Sequence, residues 1–293
     1  MAGGLNARRT AALPQLTPTI VAAVIGAGAL HACWNAIIKH INDRLMAFAV
    51  IGIACTVTGC VGLALTGMPY QAAIAFAIVS AIIHVGYDLA LMNSYRLGSF
   101  NQTYPIARGT SPLIVAVGAY FLANEHLSAA AVVGILTLAA GLMSLAFSAG
   151  RLSRADMPAV GAAVLTGLTI AAYTIVDGLG VRRAHDPWAY AAFLFLLQGP
   201  VLTAVAAYRR PRSAWMDKTL ISRGLVAGLL LVAAYGIVLW AQTRAPLAEV
   251  AAIRESSVVF AALIGVTAFG EGFGKRRVAA AVVIATGIVL IGL

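Results

Sequence analysis

Ten stretches of about twenty mostly apolar residues follow one another along this chain, at about 19–39, 45–67, 72–95, 103–123, 129–148, 158–178, 188–207, 223–243, 247–269 and 277–293. Twenty residues is the length an α-helix needs to cross a hydrocarbon core of ~30 Å. Backbone N–H and C=O groups in lipid must be satisfied within their own segment, so helices rather than strands are expected. Spans and short loops fill the 293 residues and leave no room for a soluble domain. Only 10% of residues are charged and the mean hydropathy is +0.92, whereas a soluble chain carries roughly a quarter charged residues. The expected fold is an all-α integral membrane protein with ten transmembrane helices.

The net charge of +10 does not indicate nucleic acid. Its basic residues are scattered over loops, such as Arg209, Arg210 and Arg212, or Lys275, Arg276 and Arg277, where they act as membrane-flanking anchors. Cys33, Cys55 and Cys60 fall inside apolar spans, so no disulfide framework is expected. Arg8 and Arg9 precede an apolar run, as in a signal peptide. That run is longer than a usual signal core and carries His31, Asn35 and Lys39, so it is expected to stay as the first helix.

An internal repeat constrains the topology further. The fourth span reads Tyr104-Pro105-Ile106-Ala107-Arg108-Gly109-Thr110-Ser111-Pro112 and leads to Glu125; the ninth reads Val250-Ala251-Ala252-Ile253-Arg254-Glu255-Ser256-Ser257 and leads to Glu271. Arg108 precedes Glu125 by 17 positions, Arg254 precedes Glu271 by 17, and the offset between the two is 146, half the chain. The unit therefore holds five spans, and an odd number inverts the second copy. Inverted repeats enclosing a midplane site are characteristic of secondary transporters. The expected organisation is a tail at 1–18, a first repeat at 19–148, a linker at 149–157 and a second repeat at 158–293, two inverted five-helix repeats around a central cavity.

His31-Ala32-Cys33-Trp34-Asn35 with Lys39, Tyr104-Pro105-Ile106-Ala107-Arg108-Gly109, Arg254-Glu255-Ser256 and the endings at Glu125 and Glu271 together resemble the EamA-type, ten-helix members of the drug/metabolite transporter superfamily. The resemblance spans nearly the whole chain. It implies export or exchange of small metabolites, and the nearest likeness is to YddG-type exporters of aromatic and other neutral amino acids. It also implies a multi-pass protein of a bacterial inner membrane acting on a small-molecule substrate without cofactor or metal; function as a monomer is expected because ten helices suffice to enclose a cavity within one chain.

Orientation is a point of conflict. Arg8, Arg9, Arg182, Arg183 and Arg244 lie on the side of the chain termini. Lys39, Arg44, Arg96, Arg151, Arg154, Arg209, Arg210, Arg212, Lys218, Arg223, Lys275, Arg276 and Arg277 lie on the other. The positive-inside rule then places both termini outside the cytoplasm, while the resemblance implies termini inside.

Charged groups within spans are costly, at least ~2.5 kcal/mol each on insertion scales, and mark function by default. Arg108 and Arg254 either meet a substrate carboxylate in the cavity or pair structurally with Asp88 or Glu255. His84, Tyr87 and Asp88 share one face of the third span, and Trp34, Asn35, Tyr104, Tyr173 and Tyr235 join them as candidate cavity residues. Their rings suit an amine or an aromatic substrate, or simply helix–helix packing. His31, His84, Asp88 and Glu255 are candidates for a proton or charge relay. Pro112 and Pro200 are candidate helix kinks or gates.

No Gly-rich loop ending in Gly-Lys-Ser/Thr occurs, so ATP-driven pumping by this chain alone is not expected. A membrane enzyme is disfavoured by the lack of a His-Glu-x-x-His site or a Gly-x-Ser-x-Gly elbow. The expected function is alternating-access export of amino acids, with a sugar, nucleotide-sugar or cationic drug as the alternative cargo.

Overall fold

The computed structural model describes residues 16–39, 41–148, 153–269 and 274–292. Glu271, the second member of the repeated Arg–Glu spacing, lies outside the described residues. The chain forms helices α1 (Pro18–Lys39), α2 (Arg44–Thr66), α3 (Gln71–Leu97), α4 (Phe100–Leu122), α5 (Ala129–Ser148), α6 (Met157–Val181), α7 (Pro187–Arg209), α8 (Lys218–Gln242), α9 (Leu247–Arg254), α10 (Ser257–Phe269) and α11 (Lys275–Ile291). Short 3-10 turns lie at Arg154–Asp156 and Arg212–Met216. Eight of these helices are each long and apolar enough to cross a membrane. The half-helices α9 and α10 together form the ninth span and α11 the tenth.

Acidic caps set several helix starts. Asp43 before α2 accepts from Met46 N–H at 3.2 Å, Asp186 before α7 from Trp188 N–H at 2.8 Å, and Asp217 before α8 from Thr219 N–H at 2.9 Å. Each occupies donors that the first helical turn leaves open. Before α6, the Asp156 carboxylate accepts from Ser153 N–H and Oγ–H, both at 2.8 Å, so the cap sits at the 3-10 turn that leads into the helix.

Packing joins the two halves of the sequence. If the halves correspond helix by helix, the mate of α1 is α6 and that of α3 is α8, and α3 packs on α6 as α8 packs on α1. Two helices pack on their own mates, α2 on α7 and α5 on α11. Both contacts need glycine. A Cβ on Gly52 would stand 2.3 Å from Gly199 O, and one on Gly134 would stand 2.7 Å from Gly287 O. Backbones can approach this closely only without side chains, which is how membrane helices gain dispersion contact where lipid offers no hydrophobic contrast. Bulky apolar residues such as Val61, Leu65, Phe121 and Leu136 face outward, as a lipid-facing surface allows.

The expected kinks do not interrupt any helix. Helix α4 runs on through Pro105 and Pro112, and α7 through Pro200. The break falls in the ninth span instead, expected as one helix over 247–269. There Glu255 N–H donates to Ala252 O at 3.0 Å and Ser256 N–H to Ile253 O at 2.9 Å. These i→i−3 bonds tighten the end of α9 and stop the i→i−4 ladder. Gly28 of α1 presses into the break, since a Cβ there would lie 2.4 Å from Ser256 Oγ.

Two faces follow from the helix directions. On the basic face, where α1 ends and α2 begins, Arg210 grips Asp43 through Nε–H to Oδ2 at 2.6 Å and Nη2–H to Oδ1 at 3.0 Å. That fork holds the Asp43 carboxyl below the usual carboxylate range and ties the first half to the second. On the terminal face, where α1 begins and α11 ends, Glu125 and Arg182 do the tying.

Candidate functional site

The break in the ninth span puts three charges at the centre of the bundle. Glu255 is fully buried, and Arg108 from α4 forks onto it with Nη1–H at 3.1 Å from Oε1 and 3.2 Å from Oε2. Arg254 approaches the same carboxylate more loosely, at 3.5 Å. Arg108 also meets His31 Nε2 through Nη2 and lies over the Tyr104 ring, 5.2 Å from its centroid. Its donors are thus largely used by protein groups. Arg254 is only 4% exposed, yet its Nε–H has no hydrogen-bond partner among the described residues. Two guanidinium groups against one carboxylate leave this cluster with a net positive charge.

Beside it lies an inner cavity of about 120 Å³, lined among others by Trp34, His84, Tyr87, Asp88, Tyr173, Tyr235 and Arg254. His84 and Tyr173 stack with ring centroids 4.1 Å apart, while Tyr87 and Tyr235 meet Tyr173 edge-on at 5.6 and 6.2 Å. His84 Nδ1–H donates to Ser80 O at 2.9 Å, which fixes the plane of the stack. Another intramembrane carboxylate of the second half, Asp177, is absent from the cavity lining. It accepts from the hydroxyls of Tyr190, at 2.9 Å, and Tyr235. Asp88 behaves differently. It lines the cavity, and among the described residues no hydrogen bond or ion pair reaches its carboxylate.

A larger vestibule of about 670 Å³ opens beyond the inner cavity on the basic face. Asn35, Tyr95, Tyr104, Leu91 and Val258 line it, with Lys39, Arg44 and Arg277 towards the basic end of the helices. Trp34 and Phe48 line both spaces. The terminal face is closed by a compact polar knot. Arg182 donates from Nε to Gln242 O at 2.8 Å and from Nη2 to Ala245 O at 2.9 Å, with the same Nη2 2.8 Å from Glu125 Oε1. That last contact is an ion pair by distance, without hydrogen-bond alignment, since Glu125 Oε1 has no hydrogen-bond partner. The other oxygen of Glu125 accepts from Leu247 N–H at 2.8 Å and so caps α9 across the two halves.

Most residues expected in a cavity are gathered here. Trp34, His84, Tyr87, Asp88, Tyr173, Tyr235 and Arg254 line the inner space, and Trp34, Asn35 and Tyr104 the vestibule. Arg108 and Glu255 line neither; they form the buried pair behind the wall. Asp88 makes no ion pair with Arg108 or Arg254. Of the relay candidates His31, His84 and Asp88 reach the inner cavity, and Glu255 does not. Tyr95 lines the vestibule beneath Arg44, whose guanidinium lies 5.5 Å from the ring centroid. Phe48 and Cys55 line the inner cavity without having been expected there, and so does Gln198, a polar residue in the seventh apolar run that was only a weak candidate from sequence. Among the described residues no three His, Cys, Asp or Glu side chains gather as a metal site needs.

Residues 157–293 match the EamA-like transporter family. No curated protein matches the sequence. Among solved structures, a chain described as "Crystal structure of protein" is similar over 94% of this chain and 98% of its own, at 17% identity with a TM-score of 0.71. At that identity the likeness speaks for the fold alone, and it spans both halves of the chain. The second half of this multi-pass membrane protein thus matches the EamA-like transporter family, and the fold match covers the whole chain.

Proposed function

We propose that this transporter exports small zwitterions, amino acids above all, by alternating access, with the inner cavity as its binding site. One observation carries the reading: a single small cavity is lined both by a carboxylate without a hydrogen-bond or ion-pair partner among the described residues, Asp88, and by a buried guanidinium, Arg254, whose Nε–H is unpaired. A buried charge without a partner is expensive, and an amino acid would supply the ammonium for one and the carboxylate for the other. The aromatic wall of Trp34, Tyr87, Tyr173 and Tyr235 suits the ammonium end by cation–π attraction. Size fits the head of the molecule. A cavity of about 150 Å³ takes a benzene, so about 120 Å³ holds an α-amino acid head with a large side chain pointing to the vestibule.

Alternating access draws support from the contrast between a wide vestibule on the basic face and a polar knot on the terminal face. The pairing of helices across the repeat supports two halves inserted in opposite senses, an arrangement whose mirror-related state would close one face and open the other.

Purified protein in liposomes loaded with radiolabelled phenylalanine, threonine or a control sugar tests the reading. Efflux is expected for the amino acids only. Asp88→Asn and Arg254→Gln each remove a charge-assisted contact worth about 1.5–3 kcal/mol, so efflux at low substrate should fall about tenfold to a hundredfold. Trp240→Phe, outside both cavities, should leave it unchanged. A second cargo, a cationic amine, is favoured by Asp88 amid aromatic rings. It predicts efflux of a quaternary ammonium that needs Asp88 but survives Arg254→Gln. No amino-acid efflux from folded protein would remove the zwitterion reading.

A further inference from the structure

Trp34 stands between the two cavities. Among the described residues it and Phe48 are the side chains that line both, and Trp34 is 5% exposed. One hydrogen bond holds its indole, from Nε1–H to His31 Nδ1 at 3.2 Å, with the two rings edge to face at 82°. The other nitrogen of that imidazole, Nε2, meets Arg108 Nη2.

His31 cannot serve both neighbours. Indole N–H and guanidinium N–H only donate, while a neutral imidazole has one donor and one acceptor nitrogen and a charged one has no acceptor at all. If Nε2 carries the hydrogen, Nδ1 accepts from Trp34 and the Arg108 contact is unsatisfied. If Nδ1 carries it, Arg108 is accepted and the indole is released. The two neighbours are not equally dependent on this bond. Arg108 remains anchored by its contacts with Glu255 at 3.1 and 3.2 Å, whereas among the described residues no second hydrogen-bond partner holds the Trp34 indole.

We infer that Trp34 is a gate between the vestibule and the inner cavity, latched by His31, and that the position of the hydrogen on His31 sets whether it is held. The inference deepens the reading of the inner cavity as the substrate site, since it places this ring between the vestibule on the basic face and the space lined by Asp88 and Arg254. Its substrate consequence is a size limit: side chains too long to clear the indole stay in the vestibule while it is latched.

Cys55 lines the inner cavity and gives a test that does not depend on what is transported. With Cys33→Ala and Cys60→Ala as background, a small methanethiosulfonate ammonium reagent is applied to protein in detergent and the rate of Cys55 labelling is followed. Trp34→Phe keeps a ring and loses the N–H, and His31→Phe loses the acceptor. Each should speed labelling about fivefold, the factor that a net hydrogen-bond contribution of about 1 kcal/mol corresponds to. The double variant should be no faster than either single one, because both remove the same bond. An unchanged rate in Trp34→Phe overturns the gate. Acceleration by Trp34→Phe but not by His31→Phe, or single effects that multiply in the double variant, overturns the latch. Should His31→Phe fail to elute as a monodisperse species, His31→Leu takes its place. A failure of the amino-acid efflux assay leaves these rates as they are, so the two readings can fail separately.

Discussion

Glu255 has no exposed surface and faces two arginines, while Asp88, also inside a span, has no charged partner among the described residues. Opposite effects of neutralisation follow. Glu255→Gln leaves two buried guanidinium groups without their anion, and removing one member of a buried pair costs about 3–5 kcal/mol. Its thermal unfolding midpoint in detergent should fall well below that of the parent. Asp88→Asn removes a charge that nothing in the protein balances, so its midpoint should stay level or rise while efflux is lost. A lower midpoint for Asp88→Asn would mean that the carboxylate is structural after all. Sequence shows which spans carry charges but not which charges neutralise one another. Arg108 and Glu255 are 147 residues apart, and only the fold reveals that the fourth and ninth spans bring them together. The same holds for Asp177, whose two tyrosine donors come from α7 and α8.

Helices were legible where lipid leaves no alternative. Long apolar runs must be helical, while the five-span unit was an expectation from the Arg-to-Glu spacing. The break at Glu255–Ser256 was not legible, because neither Pro nor Gly marks it. It arises from tertiary contacts: Arg108 draws on the Glu255 carboxylate and α1 presses in at Gly28. Conversely Pro105, Pro112 and Pro200, which local rules treat as kink points, sit inside continuous helices. Close crossings were equally hidden, since any of 29 glycines could have made one. They can now be told apart. A methyl on Gly52 would meet Gly199 O at 2.3 Å and Thr203 Oγ1 at 2.6 Å, so Gly52→Ala must push α2 off α7. Overpacking of this kind costs about 1–3 kcal/mol and should show as a lowered unfolding midpoint. Gly26 on the same bundle has nothing within 4 Å of a built Cβ, and Gly26→Ala should be neutral or slightly stabilising, because alanine is the better helix former. Equal midpoints for the two variants would argue against the tight α2–α7 crossing.

At the scale of the molecule, the two faces differ in charge and in openness together. Lys39, Arg44, Arg277 and the Arg209–Arg212 turn mark the basic face, where the vestibule lies. The terminal face carries Arg182, Arg183 and Arg244, and there the Glu125–Arg182 knot closes the bundle. Lysine and arginine near span ends stay preferentially in the cytoplasm. The basic face is therefore expected inside, which turns the vestibule towards the cytosol where an exporter must load, and puts the knot where it must release. A fluorescent protein that matures only in the cytoplasm, fused after Leu293, should stay dark, while an alkaline phosphatase fused at the same point, active only outside the cytoplasm, should be active. The reverse pair of signals would turn the vestibule outward. The protein would then load from outside in this conformation, and the same cavity, with Asp88 and Arg254 unchanged, would have to be read as an uptake site.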